Sequence, residues 1–140
     1  MNESLISLAC QINDLISVAL RPALDEQGIT SASFAILSSV KAADGRETQA
    51  EIGRRLGLSR ATVSEAVTAL VAQDLVLRKP SVEDGRAVTL VLTGKGHQKV
   101  NAVLKRMQEA EAEVTARLMD REVTSTAKVL KKLIYGLERL

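Results

Sequence analysis

Residues 48–92 read TQAEIGRRLGLSRATVSEAVTALVAQDLVLRKPSVEDGRAVTLVL, and this stretch decides the fold. Thr48 and Glu51 stand at capping-box spacing. A threonine hydroxyl and a glutamate carboxylate can each accept an otherwise unpaired backbone N–H there, so a helix begins near Gln49. Ile52 and Leu56 share one face of that helix. Gly57 ends it, because glycine adopts the left-handed conformation of a helix stop at no steric cost. Ser59 is a good N-cap for a second helix, in which Val63, Ala66, Val67 and Leu70 fall at i, i+3, i+4 and i+7 and form one buried stripe. The opposite face carries Arg60, Thr62, Ser64, Glu65 and Thr68. These side chains can hydrogen-bond base edges or phosphates, and they crowd into the half that helix-turn-helix units place in the major groove.

The spacing of Gly53, Gly57 and Val63 also fits a helix-turn-helix: a small residue for close approach, a glycine turn, and an apolar plug. Gly53 stands where alanine is commoner, at a cost of about 1 kcal/mol of helix propensity. These residues alone suit an ordinary pair of amphipathic helices equally well, and the following segment shifts the balance. Residues 76–79 and 87–92 are short β-branched and apolar runs, with Val88, Leu90 and Leu92 alternating against Ala87, Thr89 and Val91 as in a half-buried strand. Between them lies PSVEDGR, with Pro80 expected to halt pairing and Asp84-Gly85 to turn the chain. Arg86 falls at or just past the tip. Thr93 then caps another helix, with Gly94 and Gly96 in its first turn. The expected architecture is mainly α with a small β wing (α+β).

At this point the chain resembles the multiple-antibiotic-resistance-regulator (MarR) family of bacterial repressors. The family's wing signature D-x-R-x-x-x-L-x-L-T-x-x-G is met by Asp84, Arg86, Leu90, Leu92, Thr93 and Gly96, and its LGLSxxTVxxxVxxL by LGLSRATVSEAVTAL. Long helical segments on both sides fit as well, so the resemblance covers essentially the whole chain. It implies a single MarR-like domain over residues 1–140, with a winged helix-turn-helix DNA-binding lobe at 31–94 and dimerisation helices at 1–30 and 95–140. It implies further that Arg86 enters the minor groove from the wing while Asp84 orients its guanidinium. A narrow minor groove does attract arginine, and a fixed fork of donors needs an acceptor to hold its direction. Ser59, Arg60, Thr62 and Ser64 match the positions that face the major groove, and Thr68 extends that face. Glu65 departs from the pattern, since many relatives carry arginine there. A carboxylate accepts from cytosine N4 but repels phosphate. Glu65 therefore either specifies a cytosine or turns into a salt bridge with Arg60 or Arg86, the second being favoured.

The chain has 140 residues, enough for one domain with a real core. Its net charge of +2 does not by itself announce nucleic acid. The distribution says more: residues 45–99 hold nine Lys/Arg against six acids, while the remainder is slightly acidic. That is the footprint expected on DNA, although a solvated surface can show the same bias. Asn2 and Glu3 replace a basic signal-peptide start, and no run nears the roughly 18 apolar residues of a membrane span. One cysteine excludes an internal disulfide, and the cytoplasm is the expected compartment. No catalytic or cofactor motif is present. Cys10 and His97 are the only cysteine and histidine, too few for a zinc site, and His97 reads as a surface residue. The chain is expected to be neither an enzyme nor a cofactor or metal binder.

The flanks read as helices at about 4–27, 30–43, 95–119 and from 120–124 to the end. Leu5, Leu8, Ala9, Ile12, Leu15, Ile16, Ala19 and Leu20 make a broader apolar stripe than one core needs. Ala127, Leu130, Leu133, Ile134 and Leu137 make another. Exposed stripes at both chain ends point to a two-fold homodimer with interlocking terminal helices. Such a dimer would read a pseudo-palindrome of roughly 16–20 bp with half-sites about 10 bp apart. Two signal inputs remain open. Cys10 is a redox candidate by resemblance to peroxide-sensing relatives, but its apolar neighbours Leu8 and Ala9 favour a buried packing role. A small lipophilic anionic effector, also implied by resemblance, could meet Ile16, Leu20, Arg21, Phe34 and Met107, which are equally readable as core. The expected function is a dimeric, sequence-specific regulator of double-stranded DNA, a repressor of a nearby operon released by a small molecule or oxidant. The alternative is a winged-helix module used only for protein contacts.

Overall fold

The computed structural model describes residues 3–83 and 85–140. Its elements are α1 (Leu5–Gln27), α2 (Ser31–Ala43), α3 (Gln49–Arg55), α4 (Arg60–Ala72), β1 (Val76–Pro80), β2 (Val88–Leu92), α5 (Gly94–Thr115) and α6 (Asp120–Leu137). They fall into two compact units, one ending at Arg106 and the other beginning at Met107, with α5 running through the division. The mainly helical architecture with a two-stranded wing is the one the sequence predicts.

In the first unit the helix ends follow local chemistry. The hydroxyls of Ser4, Thr30, Thr48 and Ser59 each accept an N–H from the first turn of the helix that follows. Gly28 and Gly57, at φ of 65° and 71°, stop α1 and α3. At the second stop, Gly57 N–H returns to Arg54 O and Leu58 N–H to Gly53 O. This paired bonding satisfies carbonyls that would otherwise be orphaned. Asp74, at φ 59°, does the same work after α4 without a glycine.

The core of this unit gathers around α2, which packs against α1, α3, α4 and β2. Ile36, Leu37 and Val40 from α2 are buried, as are Ile52, Val63, Val67, Leu70, Leu90, Leu92, Val100 and Val103. Phe34, expected inward, is half-buried. Each fully buried aliphatic side chain contributes about 1.5–3 kcal/mol, so the i, i+3, i+4, i+7 stripe of α4 is what seats that helix.

The wing is one antiparallel pair in the register Val76↔Leu92, Leu77↔Val91, Arg78↔Leu90, Lys79↔Thr89 and Pro80↔Val88. Pro80 does not halt pairing, contrary to the sequence reading. Ser81 N–H still donates to Ala87 O at 2.9 Å beyond it. That bond makes Ser81–Ala87 a hydrogen-bonded rung and puts Pro80 on the intervening rung, where a strand residue's N–H points away from its partner. The missing donor therefore costs the ladder nothing. A single bridge from Thr48 to Thr89 touches the other edge of β2.

At the base of the wing the chain returns to the end of α4. Thr93 N–H donates to Leu75 O at 3.0 Å, Thr93 Oγ1 donates to Asp74 O at 2.6 Å, and Lys95 Nζ donates to Gln73 O at 3.3 Å. Thr93 Oγ1 also accepts from Gly96 N–H at 3.0 Å, capping α5. Gly96 is buried, and a Cβ built there would stand 2.1 Å from Leu75 O.

Two stretches differ from expectation. Helix α5 stops at Thr115 rather than near Met119. Thr115 Oγ1 donates back to Glu111 O, and the Glu122 carboxylate accepts Met119 N–H at 2.8 Å as the start of α6 forms. The chain must leave the helix between those two bonds. The helix is also buried only in part: Val100 and Val103 are enclosed and Leu104 and Met107 half-enclosed, while Glu111 and Val114 are exposed. In the second unit α6 has no buried residue, and Leu130, Ile134 and Leu137 lie open. In α1, Leu5, Ile12, Leu15 and Val18 are each more than half exposed in the single chain. No helix among the described residues is long and apolar enough to cross a membrane.

The contact at Gly96 predicts that Gly96→Ala lowers stability by about 1–3 kcal/mol, the usual cost of forcing an atom into a filled site. Thermal unfolding of the variant beside the wild type measures it, with Gly94→Ala, which meets nothing within 4 Å, as the control.

Candidate nucleic-acid interface

The N-terminal turns of α4 form an exposed polar face. Ser59 Oγ accepts Thr62 N–H at 3.1 Å and donates to Thr62 Oγ1 at 2.8 Å, so the cap also fixes the rotamer of the next hydroxyl. Arg60, Thr62, Ser64 and Glu65 are exposed beyond it. The helix behind this face is set by a close crossing. Gly53 is buried against Val63, and a Cβ there would lie 3.0 Å from Val63 Cγ1. The glycine that looks costly in helix propensity thus allows Val63 to seat between α3 and α4.

The start of α3 is held twice. Thr48 N–H donates to Glu51 Oε1 and Glu51 N–H donates to Thr48 Oγ1, both at 3.2 Å, completing the capping box. The backbone N–H of Thr48, and then its hydroxyl, hold the Glu51 carboxyl below the usual glutamate range. Arg55 grips Glu47 with two hydrogen bonds of 2.9 and 3.1 Å, tying the end of the same short helix to the segment before it.

Glu65 forms no ion pair among the described residues and stands exposed, so the favoured salt bridge is not found. Arg60 lies five residues away on the same helix, where the two side chains point in different directions rather than meeting. Thr68 is exposed, but its hydroxyl donates to Ser64 O at 2.8 Å and accepts from Arg78 Nη2 at 3.0 Å. Arg86 is exposed at the wing tip, next to Gly85. Asp84, its expected partner, lies outside the described residues.

Arg78 is the residue that sequence reasoning missed. It reaches from β1 to Gln49 in α3 and to Ser64 and Thr68 in α4. Its partners lie 10 to 29 residues away in the chain, and no local pattern reports such a cluster.

Other candidates separate. Cys10 is exposed in the single chain, contrary to the buried packing role expected for it, although the adjacent Ala9 is half-buried. Leu20 is buried, Phe34 and Met107 are half-buried, and Ile16 and Arg21 are exposed. None of these five lines the groove formed by Val40, Lys41, Asp44, Leu90 and His97, or the shallow one at Leu118 and Arg121. His97 is exposed, as expected. Among the described residues no cluster of three or more His, Cys, Asp or Glu could hold a metal ion.

The MarR family model matches residues 27–87, from the end of α1 through the wing tip. The transcriptional repressor MdtR of Bacillus subtilis is 27% identical over 115 residues, covering 82% of this chain and 74% of MdtR. The crystal structure of apo MarR from E. coli superposes with a TM-score of 0.75 at 26% identity, over 95% of this chain and 98% of that one. A mutant of the same E. coli protein complexed with operator DNA gives 0.72 at 26% identity, over 92% of each chain. The chain belongs to the MarR family. Within this MarR-family chain, the signature residues Thr93 and Gly96 have a visible duty. They join the wing and α5 to the end of α4 rather than facing outward with α4's polar residues.

The capping box yields a pH prediction. A carboxyl whose folded pKa is depressed adds stability above its unfolded pKa, and that stability is lost as pH falls through the folded value. Glu51→Gln should therefore unfold at a lower temperature than wild type at pH 7. The two melting temperatures should converge as the pH is lowered through and below the carboxylate range. Equal melting at pH 7 would remove the contribution of the Glu51 charge to the cap, since the glutamine amide oxygen can still accept the Thr48 N–H.

Proposed function

We propose that this MarR-family chain is a homodimeric, sequence-specific regulator of transcription that binds double-stranded DNA as a repressor. The observation that carries it is the exposed face of Arg60, Thr62, Ser64 and Glu65, held by the Ser59 cap and the Gly53–Val63 crossing. A base-reading helix needs such a face on a rigid support, and a module for protein contacts alone has no need of one. The neighbouring wing ends in exposed Arg86, suited to the negative potential of a minor groove. The operator complex of the related E. coli protein supports the same assignment. Ser59 and Thr62 act by shaping the first turn, Arg60, Ser64 and Glu65 by reaching the major groove, and Asp84 by orienting Arg86. Thr68 acts through its bond to Arg78.

Residues 31–94 form the DNA-binding lobe of this reading, and residues 1–30 and 95–140 the dimerisation helices. The open apolar faces of α1 and α6 support the dimer, since a monomer would leave both in water. No catalytic step is assigned to the chain, and the cytoplasm, where the chromosome is, is its proposed place of action. A lipophilic anion is the effector class to test, with Ile16, Leu20, Arg21, Phe34 and Met107 as the residues to vary.

Selection from a random-sequence DNA pool at two salt concentrations tests the regulator. Wild type should recover a pseudo-palindrome of roughly 16–20 bp and lose affinity steeply as salt rises. Arg86→Ala should weaken binding to that site by about ten- to a hundredfold. Recovery of no sequence by the wild type at low salt would leave the protein-contact module in its place. Sedimentation of the same sample should give a dimer, and a stable monomer at micromolar concentration would overturn that part.

A further inference from the structure

Arg78 is an exposed cation on the wing, beside a surface assigned to DNA, yet its guanidinium is directed inward. Nε donates to Gln49 Oε1 at 3.2 Å, and Nη2 donates to Ser64 O at 3.1 Å and to Thr68 Oγ1 at 3.0 Å. Three elements meet at this one planar fork: the first residue of α3, the middle of α4, and β1. The Thr68 hydroxyl spends its own proton on Ser64 O, which turns an oxygen lone pair toward the arginine. No carboxylate takes part among the described residues, so the fork is aimed by neutral acceptors on two helices.

We propose that Arg78 is a positioning residue for DNA recognition, fixing the angle between the recognition helix α4 and the wing so that both reach their grooves in one register. The proposal rests on the regulator reading above. Specific binding needs base contacts from α4 and a groove contact from Arg86 at the same time, whereas non-specific binding needs only charge near phosphates. A strut between the two reading elements therefore acts on the first and spares the second. Only a guanidinium can serve all three acceptors at once, since a lysine ammonium lacks the planar spread of donors.

Three variants separate positioning from simple phosphate contact: R78K, which keeps the charge and loses the fork; R78M, which loses both; and T68V, which removes one acceptor and leaves Arg78 in place. The readouts are the ratio of operator to random-DNA affinity, the salt dependence of binding, and amide hydrogen exchange of the free protein along β1, β2 and α4. R78K and T68V should each lower the affinity ratio by about tenfold, the scale of one lost charge-assisted bond. They should keep the wild-type salt slope and speed exchange in the ribbon. A different pattern overturns the proposal: R78M weakens all sequences alike and shallows the salt slope by about one, while T68V is silent. Unchanged ratios in R78K overturn it too. If the wild type itself selects no operator, the regulator reading fails and takes this proposal with it. A selective wild type beside equally selective variants removes the positioning role alone.

Discussion

The backbone just after α4 is the point on which the rest of the lobe depends. Carbonyls of Gln73, Asp74 and Leu75 are met by Lys95, the Thr93 hydroxyl and the Thr93 N–H. The contact is tight enough that Gly96 cannot carry a side chain. A helix end normally leaves four carbonyls in search of partners. Here those of Ala69, Leu70 and Val71 are met locally by the N–H groups of Gln73, Leu75 and Asp74, and the carbonyls that follow are met by the segment that has just come back from the wing. The recognition helix, the base of the ribbon and the start of α5 therefore share one junction. The wing inherits its direction from α4 at this end and from Arg78 further along.

The sequence showed most of what local chemistry controls. Caps at Thr48, Ser59 and Thr93 and the stop at Gly57 were readable because each residue acts on backbone within a few positions of itself. The stripe of α4 was readable because helical period alone decides which of its residues are buried. The misses share a different cause. The end of α5 carries neither glycine nor proline, so no residue there marks the stop in the sequence. Pro80 looked like a stop because its consequence turns on which rung it occupies, and register is a property of two strands together. Glu65 and Cys10 were assigned partners or burial that a single chain does not supply. Arg78 was invisible because its three acceptors lie on two helices, 10 to 29 residues away in the chain.

The two compact units divide the work by the polarity of what they leave in water. Between Leu20 and Val103 the first encloses most of its large aliphatic residues, Leu77 and Val82 on the wing excepted, and leaves a hydroxyl-rich, basic face around α4 and the wing. The second encloses none of α6 and leaves aliphatic side chains open. Gly53 shows how the first unit favours placement over local stability. About 1 kcal/mol of helix propensity is given up so that Val63 can sit between two helices. Displacing Val63 would rotate the polar face of α4, so the position of Arg60 and Ser64 depends on an apolar contact behind them.

Pro80 has a consequence beyond the ladder. A ribbon that projects from a protein offers its outer backbone groups to any passing strand, which is how sheets recruit neighbours and aggregate. On the outer edge of β1 the outward-facing rungs belong to Val76, Arg78 and Pro80. The rung nearest the tip lacks an N–H. On the far side, the single bridge from Thr48 occupies β2 at Thr89. The wing can extend into solvent when no DNA covers it because neither edge gives an uninterrupted template for another chain.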